Sequence, residues 1–412
     1  MAITGIGPIL PGTFSVESFW AHLRQGRSQI GLLDRFDTTD FAVKLAAQVR
    51  DFDYKKFLPK LPEKFAARYS REILIVMAAL EQARRDAGLA QDDVSPSRMG
   101  FVTSNSRGPM EWWCNKLEAH FEGEGSFVGH DMIPGLPGTP TSMAAMYSGI
   151  QGLVMNLSSA CVGGYQALHV ALRELESDTA DVMFVGGYEF PLFRPMLEIY
   201  GANNLLTRET VASEAMKPYD SRRDGFAFGE GAMVLSLERL DRAVARGARI
   251  YALVDGVGCM NENNHPTSMD LTGEVTANFL RGVLRTVGRS LDGIDYFCGH
   301  GTATRYNDMA EGRAIKALYG DTTLRSQWAP MTSVKPIFGH MMGASGVVNI
   351  AASALMIHNQ CLCPNINLEQ PDPDCDWDHV AEGARETSVN QVLSMAFAIG
   401  SQTSAVAMSA PA

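Results

Sequence analysis

The sequence of 412 residues contains no long hydrophobic run, and this absence limits the class of protein that it can encode. A helix that crosses a membrane needs roughly 18 to 20 consecutive apolar residues, and the nearest candidate, residues 346–356, is too short. The first residues also lack the basic and apolar regions of a secretory signal peptide, because prolines and glycines interrupt them early. We therefore expect a soluble protein without membrane segments.

Cysteine is scarce, and its spacing is irregular. Seven cysteines occur in the whole chain, with no pair of CxxC units. This pattern excludes the dense disulfide framework of small secreted proteins and the ligand set of a zinc ribbon. Cys361 and Cys363 lie near His358 but lack a second pair of ligands. We therefore expect a reducing, cytoplasmic location and no metal site.

Basic tracts and nucleotide-binding loops are absent too. The chain has 46 acidic and 35 basic side chains, a net charge of −11, which argues against a nucleic-acid partner. The segments Gly5-Ile-Gly7 and Gly229-Glu-Gly231 lack the third glycine of a dinucleotide fingerprint, and no P-loop is present. We therefore expect no nucleotide cofactor.

What the sequence does contain is an alternation of short apolar runs with longer helical patterns, which indicates an α/β fold with mixed sheets covered by helices. The predicted helices are 72–87, 162–176, 274–287, 308–318 and 347–358. The predicted strands are 99–103, 181–186, 232–238, 250–257, 295–298, 331–334 and 392–398. Residues 130–140 are turn-rich and predicted to be irregular. A charged segment, residues 238–249, divides the chain into halves at 1–245 and 246–412.

The most informative local feature is Ser158-Ser-Ala-Cys161-Val-Gly-Gly164, which precedes an amphipathic helix. At a helix N-terminus the free N–H groups and the macrodipole favour an anion, so we expect a lowered thiol pKa and a nucleophilic Cys161. A small buried structural cysteine is the alternative. Gly163 and Gly164 weaken a helix, so they indicate the close approach of another chain segment or of a substrate.

Two histidines lie in glycine-rich settings later in the chain. His300 follows a predicted strand in Cys298-Gly-His300-Gly-Thr-Ala-Thr304, and His340 closes Ser333-Val-Lys335-Pro-Ile-Phe-Gly-His340. Each histidine alone could be structural. Together with Cys161 and Lys335, they form a set suited to acyl transfer through a thioester.

These residues resemble those of the β-ketoacyl-(acyl carrier protein) synthases, the type II, KAS II-like condensing enzymes of fatty acid and polyketide assembly. The resemblance extends over almost the whole chain, including Lys217-Pro-Tyr-Asp-Ser-Arg-Arg-Asp-Gly-Phe-Ala-Phe-Gly-Glu-Gly231 and Pro364-Asn-Ile-Asn-Leu-Glu-Gln370. It implies a thiolase-like fold of two similar halves, with mixed sheets layered between helices in an αβαβα order. The substrates would arrive on the phosphopantetheine arm of an acyl carrier protein, with no separate cofactor.

The resemblance also implies a mechanism. Cys161 would accept the acyl chain, and His300 and His340 would bind the malonyl thioester and promote its decarboxylation. The loss of CO2 leaves an enolate, and two donors aimed at its oxygen stabilise the developing charge. The carbanion would attack the acyl group, and the backbone N–H groups of Cys161 and Ile399 would form the oxyanion hole.

Four further side chains take roles by resemblance. Lys335 would assist His300 and His340, and Glu311 would pair with Lys335. Thr302 and Thr304 match the threonines that hydrogen-bond the pantetheine arm.

Several positions depart from the family pattern. Ala303 replaces the usual glycine between the threonines, and Arg305 replaces the following proline. In the late glycine-rich element, Ala398-Ile-Gly-Ser-Gln-Thr403, Ile399 stands where a gating phenylalanine is common. Ala398 and Ser401 replace glycines and restrict access to positive φ. We expect altered control of acyl entry and a specialised polyketide or polyene pathway.

Two rival functions remain in view. A degradative thiolase needs another cysteine in the C-terminal loop, where this sequence has Ser401. A non-catalytic, chain-length-determining partner of a ketosynthase usually lacks the nucleophile, which this chain retains.

The predicted partners are an acyl carrier protein and a second subunit, either identical or related. Because carrier proteins are acidic and this chain is acidic as well, docking needs a local basic patch. The stretch 55–71 is rich in basic residues, and Lys60, Lys64 and Arg68 are the predicted docking residues. A solvated helical face is the alternative.

Overall fold

The computed structural model describes residues 1–90, 93–320 and 324–411. Its α-helices are α1 (Val16–Gln25), α2 (Tyr54–Phe57), α3 (Glu63–Ala66), α4 (Arg71–Asp86), α5 (Met110–Phe121), α6 (Thr139–Tyr147), α7 (Gly163–Glu176), α8 (Arg194–Ala202), α9 (Leu240–Ala245), α10 (Glu274–Thr286), α11 (Arg305–Tyr319), α12 (Lys335–Phe338) and α13 (Ser345–Asn359).

The strands are β1 (Ala2–Ile9), β2 (Gly31–Leu32), β3 (Leu45–Ala47), β4 (Met99–Asn105), β5 (Val154–Ser158), β6 (Val182–Glu189), β7 (Phe228–Gly229), β8 (Gly231–Glu238), β9 (Ala252–Asn261), β10 (Tyr296–Cys298), β11 (Met331–Thr332), β12 (Cys361–Leu362), β13 (Arg385–Glu386), β14 (Gln391–Ala398) and β15 (Gln402–Ser409). Short pieces β2, β3 and β7 form one small sheet, and β12 pairs with β13.

Ten of the strands form one continuous sheet in the order β11-β10-β14-β15-β9-β1-β8-β6-β4-β5. In the first half of the chain, β4 pairs parallel with β5 and β6, whereas β8 is antiparallel to β6 and β1. In the second half, β10 pairs parallel with β11 and β14, whereas β15 is antiparallel to β14 and β9. The two halves therefore repeat one topology.

The repeat is exact at the level of strand order. When the five strands of each half are counted along the chain, both halves run 3-2-4-5-1 from the outer edge to the centre. The two first strands, β1 and β9, pair antiparallel through Ala2 with Leu253 and Ile3 with Ala252. This pairing joins two similar five-stranded portions, a duplication that is not visible in the residues themselves.

Helices form three layers around these portions. Helices α7 and α13 pack on each other and occupy the middle, α7 against β4 and β6 and α13 against β6 and β14. Helix α4 covers β1 and β8, and α10 covers β9 and β15 with α11 beside it. The αβαβα order and the α/β class predicted from the sequence are confirmed.

Several glycines lie where two layers approach so closely that a larger side chain would not fit. A Cβ atom on Gly164 of α7 would lie 2.8 Å from the backbone N of Val347 on α13, so the two central helices cross at contact distance. A Cβ atom on Gly5 or Gly7 of β1 would collide with carbonyl oxygens of Ala83 or Ala79 on α4. The approach inferred at Gly163 and Gly164 is therefore that of another segment of this chain.

The predicted helices and strands all correspond to observed elements, with ends shifted by a few residues. The sequence analysis did not predict several of the longer elements, among them β1, β5, β15, α1, α5 and α8. It also missed the ordered parts of residues 130–140, where a 3-10 helix spans Gly129–Met132 and α6 begins at Thr139. The boundary predicted at residue 245 coincides with the end of α9. Because β1 of the first half pairs with β9 of the second, the two halves share one sheet, and their division into separate domains stays a prediction.

None of the helices in the described part of the chain combines the length and the apolar character that spanning a bilayer requires.

Candidate active site

The site begins at Cys161, which lies in a 3-10 turn, Ala160–Val162, between β5 and α7. Ala160 has a φ of 47°, in the left-handed region that is costly for a residue with a Cβ atom. The sharp turn places Cys161 at the beginning of α7, where the side chain is 7% exposed. The thiol is thus held in a fixed, nearly dry position.

His340 approaches Cys161 from the second half of the chain. Its Nε2 atom lies 3.2 Å from Sγ of Cys161, and its Nδ1 atom lies 2.9 Å from Oγ of Ser345. The ring of Phe226 contacts the imidazole edge to face at 4.9 Å. The imidazole is therefore fixed on three sides.

His300 follows β10 and lies beside His340. The two imidazole rings are 5.5 Å apart and nearly perpendicular, at 86°. Sγ of Cys161 and one nitrogen from each histidine lie within 4.8 Å of one another. The structure therefore brings together Cys161, His300 and His340, the three residues on which the sequence analysis relied.

Lys335 supports His300 directly. The buried Nζ donates to the carbonyl oxygen of His300 and lies 3.4 Å from Nδ1 of its ring. With Nζ of Lys335 as the donor, Nδ1 of His300 is the acceptor, and the ring proton is on Nε2. The free N–H of His300 is thereby directed away from Lys335.

Glu311 is also central, but it does not contact Lys335 as predicted. Its carboxylate accepts backbone N–H bonds from His300 at 2.5 Å and from Gly301 at 2.9 Å. It also accepts a bond from the hydroxyl of Tyr219 at 3.2 Å. Both Lys335 and Glu311 are described residues, and they form no ion pair. The expected pairing is present as a longer-range interaction of charges, in which each group shifts the pKa of the other, while Glu311 holds the loop backbone.

Burial governs the protonation of the site. It raises the pKa of the Cys161 thiol to about 12, against the smaller opposing effect of Lys335. The lowered thiol pKa expected from the helix end was wrong in direction, because desolvation of a thiolate is the larger effect here. Burial, with Lys335 as the next cause, holds the pKa of His300 and of His340 well below the usual range. The resting site therefore contains a neutral thiol and two neutral imidazoles.

The loop that follows β14 carries the predicted second oxyanion donor, Ile399. Its neighbour Ala398 packs against the apolar cluster that includes Cys161, whereas the Ile399 side chain is 50% exposed. Strand β14, which ends at Ala398, contacts the turn that carries Cys161, and the side chain of Ile399 faces solvent.

Ser401 holds this loop in place through hydrogen bonds. It adopts a φ of 57°, the conformation that a glycine would take without strain. Its hydroxyl accepts a bond from the backbone N–H of His265 at 2.9 Å and donates to the carbonyl of the same residue at 2.7 Å. The N–H of Gly400 donates to Pro266 at 2.8 Å. Ser401 therefore reaches the positive φ that its side chain was expected to restrict, and hydrogen bonds to His265 hold it there.

Thr302 and Thr304 lie side by side at the start of α11, with their hydroxyls 2.8 Å apart. Ala303 between them has a φ of 61°. The turn therefore keeps the shape that a glycine would allow. It places both hydroxyls on the loop that begins at His300.

An apolar wall lies next to Cys161. Its buried members come from α8, from β7, from the loops around them and from the 3-10 turn before α13, and they include Leu192, Phe193, Met196, Leu197, Tyr200, Phe226, Phe228 and Met342. Of the two methionines after His340, Met342 belongs to this wall and Met341 belongs to the central core. This wall is suited to contact an acyl chain.

The predicted docking residues Lys60, Lys64 and Arg68 are all exposed. Other basic residues of the same stretch are committed elsewhere, since Lys55 pairs with Glu63 at 2.5 Å and Arg71 pairs with buried Glu230 at 3.0 Å. The free basic patch is therefore smaller than the sequence stretch 55–71.

The sequence analysis overlooked two side chains that shape the site. Ser345 contacts His340, and Tyr219 contacts Glu311. A hydroxyl five residues after His340, at the start of a helix, was a signal for Ser345. Tyr219 lies in the Lys217-Pro-Tyr-Asp block that was noted only as part of a resemblance.

The structure describes residues 1–90, 93–320 and 324–411. Among them, Cys161, His300 and His340 are the one set of at least three His, Cys, Asp or Glu residues close enough to share an ion. Since these are also the candidate catalytic groups, an ion bound there would occupy the thiol and both imidazoles.

Comparisons with known proteins place this geometry in a family context. Residues 1–243 match the family model for the N-terminal domain of β-ketoacyl synthases, and residues 251–369 match the model for the C-terminal domain. Together the two models cover most of the chain.

Individual relatives extend over its full length. The chain is 31% identical to a 3-oxoacyl-[acyl-carrier-protein] synthase 2 of Coxiella burnetii, over 99% of this chain and 98% of the relative. The solved ishigamide ketosynthase/chain length factor superimposes with a TM-score of 0.91 at 28% identity, covering 100% of this chain and 99% of the other. A type II polyketide synthase acyl-carrier protein in complex with its ketosynthase bound to the hexaketide gives a TM-score of 0.88 at 25% identity, covering 100% and 99%.

Proposed function

The chain belongs to the β-ketoacyl synthase family, and on this basis we propose that it condenses an acyl group held on Cys161 with a malonyl group carried by an acyl carrier protein. It is an acyltransferase of the condensing, ketosynthase class with a thiolase-like fold. The observation that carries the proposal is the convergence of Cys161, His300 and His340 within 4.8 Å. The substrates arrive on phosphopantetheine, and no separate cofactor takes part.

The first half-reaction is acyl transfer. The sulfur of Cys161 attacks the carbonyl of the acyl thioester, and the bond to the pantetheine sulfur breaks. The proton of the Cys161 thiol ends on the departing pantetheine sulfur. A buried neutral thiol suits this exchange, because one thioester replaces another and no net charge has to remain in the apolar site.

The second half-reaction begins with decarboxylation. The bond between the malonyl α-carbon and its carboxylate breaks, CO2 leaves, and the electron pair forms an enolate. Two neutral imidazoles can each donate one hydrogen bond to the enolate oxygen where the charge develops. His300 and His340 are placed for this role, since their rings lie 5.5 Å apart beside the nucleophile.

Condensation follows at the acyl group on Cys161. The α-carbon attacks the thioester carbonyl, and the oxygen becomes an oxyanion. The backbone N–H groups of Cys161 and Ile399 act as its donors, a role supported by the packing of Ala398 against the Cys161 cluster. The oxyanion then collapses, the new carbon–carbon bond remains, and the released sulfur of Cys161 takes up a proton.

Lys335 and Glu311 act as positioning residues in this scheme. Lys335 directs the Nε2–H of His300 into the site by occupying the other side of the ring. Glu311 fixes the backbone at His300 and Gly301. Thr302 and Thr304 hold the pantetheine arm, and the contact between their hydroxyls keeps both on one side of the turn.

The carrier protein is the first proposed partner. One similar solved structure is that of a type II polyketide synthase acyl-carrier protein in complex with its ketosynthase. In this chain, the exposed Lys60, Lys64 and Arg68 offer positive charge for an acidic carrier. Since the chain as a whole has a net charge of −11, such a local patch is needed for docking.

A second subunit is the other proposed partner. Strand β5 is the edge of the large sheet, and exposed apolar side chains lie nearby, including Met146 and Met155. An unpaired edge beside apolar surface favours pairing with another chain. We propose a homodimer or a heterodimer with a related ketosynthase or chain-length subunit. The presence of Cys161, His300 and His340 argues that this chain is the catalytic partner.

We also propose a cytoplasmic location and a specialised polyketide or polyene pathway. All seven cysteines are free thiols, which supports a reducing compartment. The departures at Ala303, Ile399 and Ser401 support a pathway other than housekeeping fatty acid synthesis.

The test is intact-protein mass spectrometry after incubation with acyl-carrier proteins, with and without candidate partner subunits. We expect an acyl adduct on the wild type and on Cys259→Ala, which removes an exposed thiol, but not on Cys161→Ala. The addition of malonyl-carrier protein should discharge the adduct and release CO2 and a 3-oxoacyl-carrier protein. The absence of any Cys161-dependent adduct under all these conditions would refute the proposed function.

A further inference from the structure

The contact between Ser345 and His340 carries an inference beyond the scheme above. Ser345 is the first residue of α13 and is 4% exposed. Its Oγ atom lies 2.9 Å from Nδ1 of His340 and 3.1 Å from the backbone N of Met341. A single hydroxyl therefore bridges the histidine ring and the peptide that follows it.

The direction of these bonds follows from the number of protons available. The backbone N–H of Met341 is a donor, so Oγ of Ser345 accepts from it. The hydroxyl proton of Ser345 then needs an acceptor, and Nδ1 of His340 is the one that its contacts provide. A neutral imidazole carries one proton, so an accepting Nδ1 leaves the ring proton on Nε2.

We propose that Ser345 is a positioning residue that holds His340 in the Nε2–H form and aims this N–H at the substrate site next to Cys161. The inference rests on the proposed function, since it names what prepares one of the two enolate donors. Nε2 is the nitrogen that lies 3.2 Å from Sγ of Cys161, so its proton points to where the thioester carbonyl would lie.

Different groups therefore fix the tautomers of the two histidines. Nζ of Lys335 occupies Nδ1 of His300, whereas a serine hydroxyl occupies Nδ1 of His340. Phe226 restricts rotation of the His340 ring from another side, at 4.9 Å. Both imidazoles therefore present an Nε2–H to the same small space before any substrate enters.

The direct test is ¹⁵N NMR of histidine-labelled wild-type protein, with His340 assigned by its loss in His340→Ala. We expect a pyridine-type Nδ1 and a pyrrole-type Nε2 for His340, and in Ser345→Ala a mixture of the two tautomers. An Nδ1–H tautomer in the wild type would overturn the proposal, whatever the activity of the variants.

Kinetics supply a second test that separates this role from the proposed function. We expect Ser345→Ala to lower malonyl decarboxylation and kcat of condensation by about 10- to 100-fold with little change in KM. The stoichiometry of the acyl adduct on Cys161 should stay at the wild-type level. Ser345→Thr, which keeps a hydroxyl, should restore most of the lost rate.

The matched control is Ser353→Ala, a buried serine farther along α13, which should decarboxylate at the wild-type rate. Equal decarboxylation by Ser345→Ala and the wild type would refute the positioning role. Loss of the Cys161 adduct in the wild type would instead refute the proposed function itself.

Discussion

Sγ of Cys161 and Nε2 of His340 lie 3.2 Å apart, although 179 positions separate the two residues in the chain. Each comes from a different half of the molecule, and each follows the third strand of its half, β5 for Cys161 and β11 for His340. The reacting groups are therefore topological counterparts that meet where α7 and α13 cross.

The first prediction concerns the free thiol. Because burial raises the pKa of Cys161 to about 12, the thiolate fraction should increase about tenfold for each pH unit between 7 and 9. The rate of iodoacetamide alkylation of Cys161, followed by peptide mass spectrometry, should increase in the same proportion. If the alkylation rate did not change between pH 7 and 9, Cys161 would already be a thiolate at pH 7, which would contradict a neutral resting thiol.

Lys335 provides the second prediction. Lys335→Met keeps the length of the side chain but removes the donor that faces His300. We expect CO2 release from malonyl-carrier protein to fall by about 100-fold, because one enolate donor loses its orientation. Acylation of Cys161 should remain, and Lys316→Met, at a partly exposed lysine, should leave both steps intact. Equal losses in acylation and decarboxylation would argue for a general disturbance of the site.

A buried carboxyl outside the reacting groups gives a prediction about stability. Burial raises the pKa of Glu72 from 4.5 to about 8, so the folded protein retains a proton that the unfolded chain has lost. Stability should therefore decrease as the pH rises from about 4.5 to 8. Glu72→Gln should remove roughly 3 kcal/mol of this decrease between pH 5.5 and 8.5.

The measurement for Glu72 is urea unfolding at both pH values, with the exposed Glu122→Gln as the control. If the wild type and Glu72→Gln lose stability in parallel over this range, the carboxyl does not retain its proton on folding.

Carrier-protein docking is the subject of the fourth prediction. Charge reversal at the exposed Lys60 and Lys64 should weaken binding of the carrier protein by about tenfold or more at low salt, since like charges then face an acidic partner. Surface plasmon resonance would measure the affinity, and circular dichroism would check the fold. Reversal of Arg173 and Arg285, exposed elsewhere, changes the net charge equally and should have a smaller effect.

The loop at Ile399 leads to the fifth prediction. Ser401→Gly removes the hydroxyl that binds His265 but keeps the backbone conformation accessible. We expect amide hydrogen exchange at Gly400 to accelerate about tenfold, because the loop loses the free energy of roughly one buried hydrogen bond. Ser404→Ala, at a buried residue of β15, the strand that follows this loop, is the control. Unchanged exchange in Ser401→Gly would mean that backbone bonds alone hold the loop.

Sequence reasoning succeeded where a pattern was dense. The helix around Ile73 and Leu80 was predicted because its apolar face repeats at helical spacing, and Cys161, His300 and His340 were found because each stands in an unusual glycine-rich context. Strand β1 was missed because Gly5 and Gly7 weaken its strand pattern. Their lack of a side chain is what admits α4, and that requirement lies in another part of the chain.

Two features of the site could not be inferred from a short motif, and for the same reason. The direction of the Cys161 pKa shift depends on how much of the molecule covers the thiol, and the partners of Glu311 depend on which way its carboxylate points. Neither burial nor side-chain direction is a property of a short motif. Ser345 was overlooked for the same reason, since a serine becomes informative only when the imidazole beside it is in view.

The pairing of β1 with β9 has a mechanical consequence for the molecule. It is the seam between two five-stranded portions, and it fixes how far the end of β5 lies from the end of β11. A slip of one residue along this seam would displace one portion by about 3.3 Å, as much as the whole distance between Cys161 and His340. Stiffness at the centre of the sheet therefore sets the precision with which the nucleophile meets its histidine.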